Sequence, residues 1–283
     1  MGLIGKSTLP DLAAVGAASH FGTGVERSRK LECEPGVVDL DHLLKRAARA
    51  GLSHQANFLA SAARPSIEMK LVKASPKSGL SKLGGIPDLP VGESWPESSS
   101  DFPYHFLGQI DFANLPDFEG TPFPSSGMLS LFYLYDEDGE ADWDEPGYVV
   151  AVSHPEVAEL EAVPSPDQPE PGRTVALSFK LGWDLPQDEY QAPDWPFSGD
   201  DEEAFTEHLS WVERVTADHL LGYPRHNTLA YDPSPGEDWV PLLTVASHDS
   251  LGWCWGDGDN LMIFIERSRL EKADFSNLSC HTG

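Results

Sequence analysis

The chain has 283 residues, with 46 acidic against 19 basic side chains and a formal charge of -27. That balance repels phosphate backbones and excludes direct DNA or RNA binding, which draws its affinity from Lys and Arg. Hydrophobic residues make up 40%, enough for a core at a length where folding buries roughly three quarters of the unfolded chain's surface, and no run approaches the ~18 apolar residues of a membrane-crossing helix.

The first 34 residues, rich in Gly, Ala and Ser, read as a flexible tail. Leu12 to Ser19 imitates a secretory signal only weakly, since Asp11 interrupts it, and Lys6 breaks the myristoylation pattern. The remainder, 35–283, is expected to be a single domain. Asp39 caps a helix carrying Leu40, Leu43, Leu44 and Ala47 on one side, Gly51 ends it, and Ser53 restarts a second short helix to about Ala63. Ile67, Met69 and Leu71 then alternate with polar neighbours as in a half-buried strand. Further strands are expected over 104–112, 128–135, 148–153, 174–179, 240–246 and 261–266, separated by Pro, Gly and Asp clusters. The proline-rich stretch 155–171 reads as a surface connection between halves of about 64–155 and 172–280. A long helix is expected over 201–221, with Phe205, Leu209, Val212 and Leu220 on one face, His219 in its last turn and Gly222 stopping it. Gly127 to Phe132 echoes Asp259 to Phe264, which is compatible with an ancient duplication. The fold class is therefore α+β: mainly antiparallel sheets in two related halves behind a helical N-terminal segment.

Charge is unequal along the chain, with 12 basic and 8 acidic residues up to position 90 and 7 against 38 beyond it. The acid belongs to the main body, where it serves solubility or steers a cationic partner.

Motifs of known chemistry mostly fail on geometry. In Gly2-Leu-Ile-Gly5-Lys-Ser-Thr8 the glycines are too close for a phosphate-binding loop, and no strand precedes them. Gly252-Trp-Cys254-Trp-Gly256 has the glycine spacing of a nucleophile elbow, but a turn and a strand follow where an elbow needs a helix. Cys254 thus reads as a small buried apolar residue, although acyl transfer with His248 stays formally open. Three distant cysteines, Cys33, Cys254 and Cys280, fit neither a disulfide framework nor a thiolate metal site, so a reducing, cytoplasmic setting is expected. No histidine pair has the helix-face spacing of a zinc site. The acidic run from Asp136 to Asp144 has Ala141 and Gly147 where a calcium loop needs Gly and Glu, so it reads as an exposed hairpin, open at most to weak calcium binding. No cofactor is implied. Three tryptophans stand beside turn residues, Trp95, Trp195 and Trp255, and are expected to staple loops to the core through their indole N–H groups.

From Lys82 onward the strings KLGGIPDLPVGESWP, YHFLGQIDFANLP and SGMLSLFYLYD, followed by HLLGYP (His219 to Pro224), WGDGDNLMIFI and DFSNL, resemble the bacterial YwqG-like family over about Arg64 to Leu278. The resemblance implies a compact α+β fold with two related halves and no established activity. The occurrence of relatives beside toxin systems implies an immunity or interaction role. Most of the signature is Gly and Pro and reads as architecture. Its polar and aromatic members, Trp95, Gln109, His219, Trp255 and Asp257, are the candidate pocket. The expectation for function is a non-enzymatic binding or regulatory protein that presents an acidic surface to a basic partner. The alternative is a small-molecule-binding protein or hydrolase using a pocket near Gln109, His219 and Asp257.

Overall fold

The computed structural model describes residues 40–72, 79–136, 140–156, 159–167, 172–209 and 218–283, all within one unit spanning Pro35–Gly283. The expected tail lies outside the described residues, as do Asp39, Cys33 and Val212. In chain order come α1 (Leu40–Arg49), a 3-10 turn (Ser53–Gln55), α2 (Ala56–Ala62), β1 (Arg64–Val72), β2 (Lys82–Leu83), β3 (Asp88–Pro90), β4 (Tyr104–Asp111), a 3-10 turn (Phe112–Asn114), β5 (Met128–Leu134), β6 (Val149–His154), β7 (Leu160–Ala162) and β8 (Val175–Asp184). They are followed by α3 (Asp200–His208), β9 (His219–Leu221), β10 (Trp239–Ala246), β11 (Asn260–Glu266), α4 (Arg267–Leu270) and β12 (Leu278–Thr282).

Ten strands form one antiparallel sheet in the order β12-β11-β10-β9-β1-β8-β2-β4-β5-β6, and β3 pairs with β7 beside it. The edge strands β6 and β12 come together, so the sheet curls into a nearly closed, barrel-like body. Cys280 of β12 reaches the Trp143 carbonyl near that seam at 2.7 Å. The fold is thus mainly antiparallel β with few helices. Closure buries both faces of β5 and β11, which are apolar along almost their whole length: Leu129, Leu131, Leu261, Ile263 and Ile265 enter the main core, and Phe132 packs outward with Tyr104, Phe106 and Leu89. A separate cluster holds Leu43, Leu59, Phe197 and Phe205, joining α1, α2 and α3 over Leu185.

The expected helix over 201–221 is corrected. It ends at His208, and His219 belongs to β9, where it pairs with Glu68 of β1 and Thr244 of β10. Its imidazole is fully buried and bonds the Tyr223 carbonyl at 3.0 Å, so it caps no helix. Gly222 (φ +75°) does stop an element, but the element is a strand. The 155–171 connection likewise contains a strand, β7.

The two flanks of the β1/β8 pair match in register. Lys82 and Leu83 pair with Gln109 and Gly108 on one side, as His219 and Leu220 pair with Thr244 and Leu243 on the other. Both flanks carry a bulge, between Phe106 and Gly108 and between Pro241 and Leu243. Both short strands end in consecutive left-handed residues, Gly84 and Gly85 at +66° and +78°, Leu221 and Gly222 at +59° and +75°. Lys82-Leu-Gly-Gly-Ile-Pro87 and His219-Leu-Leu-Gly-Tyr-Pro224 therefore play the same part.

Candidate functional site

The left-handed turns place two clefts at corresponding corners of the body. The first, of about 170 Å³, lies over the turn of Gly84 and Gly85, the start of β4 (His105), the end of β5 (Tyr133, Tyr135), Arg173 before β8, and the Leu251–Trp253 turn. The second, about 310 Å³, uses Leu221, Gly222, Val240, Pro241, Arg267 and Pro65 in the corresponding places. By register, Val240 stands where His105 does, and Ile265 and Arg267 where Tyr133 and Tyr135 do. The framework therefore forms without those aromatic rings.

The rings of the first cleft are organised. His105 stacks on Tyr135 at 4.0 Å between centroids and 4° between planes. Tyr133 is buried beneath and meets Trp255 edge-on at 5.1 Å, and Trp253 leans on Trp255 at 5.7 Å. Such offset and edge-on pairs each add about 0.5–1.5 kcal/mol beyond area burial. Burial holds the His105 imidazole below its usual range, against the opposing pull of the Asp167 carboxylate, and it raises the Tyr133 phenol far above its usual value. Arg173 is exposed at the rim and, among the described residues, makes a long 3.5 Å contact to the Ser250 carbonyl and no other hydrogen bond.

The wall turn is tied down by a buried carboxylate. His248 Nε2 lies 2.9 Å from both oxygens of Asp218, which is fully buried and also accepts the Ala246 amide. The His248 amide and carbonyl bond Trp253, and its carbonyl also accepts the Leu251 amide. On the other flank Ser81 takes the place of Asp218, accepting the Asp111 amide through its hydroxyl. The carboxylate is thus an addition to a position that Ser fills adequately.

The hydrogen bond from His248 to Asp218 raises the imidazole pKa, burial opposing. A raised folded-state pKa gives stability that is complete below the unfolded value and fades as pH rises through the folded one. His105 has the opposite sign and loses stability as pH falls below the usual imidazole range. The Trp253 wall should therefore loosen as pH rises through the raised His248 value. Tryptophan fluorescence titrated from pH 5 to 9 should show that transition in the native chain, and Asp218→Asn should abolish it.

Of the five residues singled out in the sequence, Trp255 reaches this cleft as the support of Tyr133, its indole bonded to the Ala246 carbonyl at 3.2 Å. Asp257 is exposed in the adjoining turn. Trp95 staples its loop through the Tyr104 carbonyl at 3.1 Å, packs on Phe132 and lines a wider groove with Pro96 and Tyr104. Gln109 is fully buried, with its amide donating to Leu80 and Asp88 and its oxygen accepting the Asp88 amide. His219 is a buried strut, as described above. Of the five, Trp95 alone lines one of these clefts and grooves. Cys254 is exposed, which corrects its reading as a buried residue: it sits in a solvent-facing turn with its thiol 3.5 Å from the Gly256 carbonyl, and, as expected, a turn into β11 follows it. Asp136 spends its carboxylate on the Glu140 and Ala141 amides, and no cluster of three potential metal ligands occurs among the described residues.

Residues 81–282, which include every lining residue of the first cleft, match a family described as a domain of unknown function (DUF1963). The chain belongs to the DUF1963 family. No curated protein matches it. The matched stretch of this DUF1963 domain leaves out β1, although β1 lies between β8 and β9 near the middle of the sheet. No helix among the described residues of the DUF1963 protein is long and apolar enough to cross a membrane.

Proposed function

We propose that this DUF1963 protein is a non-enzymatic binding protein that holds a small ligand in the aromatic cleft over Gly84 and Gly85. One observation carries the reading: in the corresponding cleft Val240 and Pro65 stand where His105 and Arg173 do, and by register Ile265 stands where Tyr133 does, so His105, Tyr133 and Arg173 exceed what the framework requires. Concave sites of this kind, with a few polar groups among aromatic ones, are where ligands bind. A ring-rich fragment library screened by thermal shift should give hits that disappear in Trp253→Ala. Hits that persist unchanged in that variant would move the site elsewhere.

A second reading, a partner of basic character docking on the acidic surface in an immunity-like role, is supported by the charge. Among the described residues only four acids are buried, Glu68, Asp88, Asp184 and Asp218, and two of them pair with the buried cations Lys82 and Arg225, so most of the described acids face solvent, with Asp200 to Glu203 clustered in the first turn of α3. Complementary charge speeds encounter and makes it salt-sensitive. A low-salt pull-down that returned nothing eluting between about 0.1 and 1 M salt would count against this reading. We also read the domain as a YwqG-like, cytoplasmic member of its family, and its matched flanks as products of duplication. The paired bulges, paired left-handed turns and the Ser81/Asp218 correspondence support that origin.

A further inference from the structure

We propose that the aromatic cleft selects a planar ring bearing an anionic group, with the anion on Arg173 and the ring against Trp253 and the His105–Tyr135 stack. This rests on the small-ligand reading and deepens it. The cavity, about 170 Å³, accommodates one ring system and little more. Its lining is rich in planar rings: the His105 and Tyr135 planes lie within 4° of each other, Trp253 is half-buried and Tyr133 is buried. Planar π-systems match such faces best.

Arg173 decides the charge. Aromatic faces by themselves favour cations, and the net charge of -27 favours them too. The field of distant carboxylates, however, decays over about 8 Å at physiological salt, and although the Asp167 carboxylate acts on His105, Arg173 lines the cleft itself at its rim. Arg173 forms no ion pair among the described residues of a chain rich in carboxylates. Arg225 and Arg269, by contrast, are paired with acids. A planar guanidinium matches a carboxylate through two parallel hydrogen bonds and repels a cation placed at the same spot. The position corresponding to Arg173 in the second cleft is Pro65, and the arginines of that cleft, Arg64 and Arg267, stand at other positions of the framework.

Benzoate, benzamide and benzamidine share one shape and differ in charge, and so serve as probes. Each is titrated into the full chain at about 0.15 M salt, where distant charge is screened, with tryptophan fluorescence and NMR line shifts as readouts. Benzoate should bind about tenfold more tightly than benzamidine, with benzamide between. Arg173→Gln, a rim substitution that leaves the core untouched, should collapse the benzoate advantage and leave benzamide unchanged. Trp253→Ala should weaken all three. Benzamidine binding as well as benzoate, or a benzoate preference that survives Arg173→Gln, would overturn the anionic class while keeping the small-ligand reading. Absence of saturable binding by every probe up to about 20 mM, a range generous for fragments of nine heavy atoms, would overturn the small-ligand reading itself.

Discussion

Asp184→Ala is expected to destabilise the protein by about 3–5 kcal/mol, the range for removing one partner of a buried ion pair. Asp184 ends β8 with its side chain 1% exposed, and Arg225, its partner, is 3% exposed. The carboxylate also accepts the Tyr223 amide at 2.7 Å and the Leu185 amide at 3.0 Å. Truncation would remove the acceptor of a buried guanidinium and of two amides in a closely packed site, where a Cβ on Gly222 would lie 2.6 Å from Oδ2. The lesion sits where β1, β8 and β9 meet, since Arg64 pairs with Asp184 across the ladder and lies 3.9 Å over the Tyr223 ring. In a chain of this size the loss corresponds to a fall in Tm of about 10 °C. Asp184→Asn keeps one acceptor and should fall between. Replacing both partners with apolar residues, Asp184→Leu with Arg225→Met, should cost less than Asp184→Ala alone, because no charge is then left without its counterion. Chemical unfolding of the three variants gives the test, and a loss under about 1 kcal/mol for Asp184→Ala would mean the pair is solvated in solution.

The long strands were legible because their apolar residues recur with period two or run continuously, as in Met128 to Leu134 and Asn260 to Glu266. The short ones were not. β2 has two residues and β9 three, too few for any period, and they are strands only because β1, β4, β8 and β10 supply ladders on either side. The helix reading ran past His208 because Leu209, Val212 and Leu220 prolong a helical pattern. Leu220 instead answers to Ile67 and Leu243 across the sheet, a tertiary demand that local spacing does not record. Gly84, Gly85 and Gly108 were correctly read as architecture, and for that same reason the family signature pointed away from the cleft. Its rings come from three separated segments. Two signals were nevertheless present: Tyr133 and Tyr135 share one face of a strand, and Arg173 is one of only 7 basic residues after position 90. The pair of Asp218 and His248 spans 30 positions and leaves no local trace.

Gly84→Ala should be the second severe substitution, at about 2–4 kcal/mol, and it should damage binding beyond what the loss of stability explains. Two effects combine. Gly84 adopts φ +66°, where an L-residue carries a penalty of roughly 1–2 kcal/mol. Its added Cβ would fall 2.3 Å from the Arg173 carbonyl oxygen and 3.2 Å from Leu251. The corresponding Leu221 separates the two, because it holds φ +59° with a full side chain and shows that the dihedral alone is tolerated in this fold. Any loss at Gly84 beyond about 2 kcal/mol therefore measures the carbonyl contact. That carbonyl cannot swing aside freely, since Leu83 and Val175 are held in register immediately beyond it. The strain must then move either the turn or the approach to β8, and both line the aromatic cleft, with Arg173 at the rim. Benzoate affinity measured well below the melting transition should fall even in the fraction that stays folded. A Gly84→Ala protein of near-native stability, or one that binds benzoate as the parent does, would show that the turn and Arg173 are not in the close approach on which the cleft's anion anchor depends.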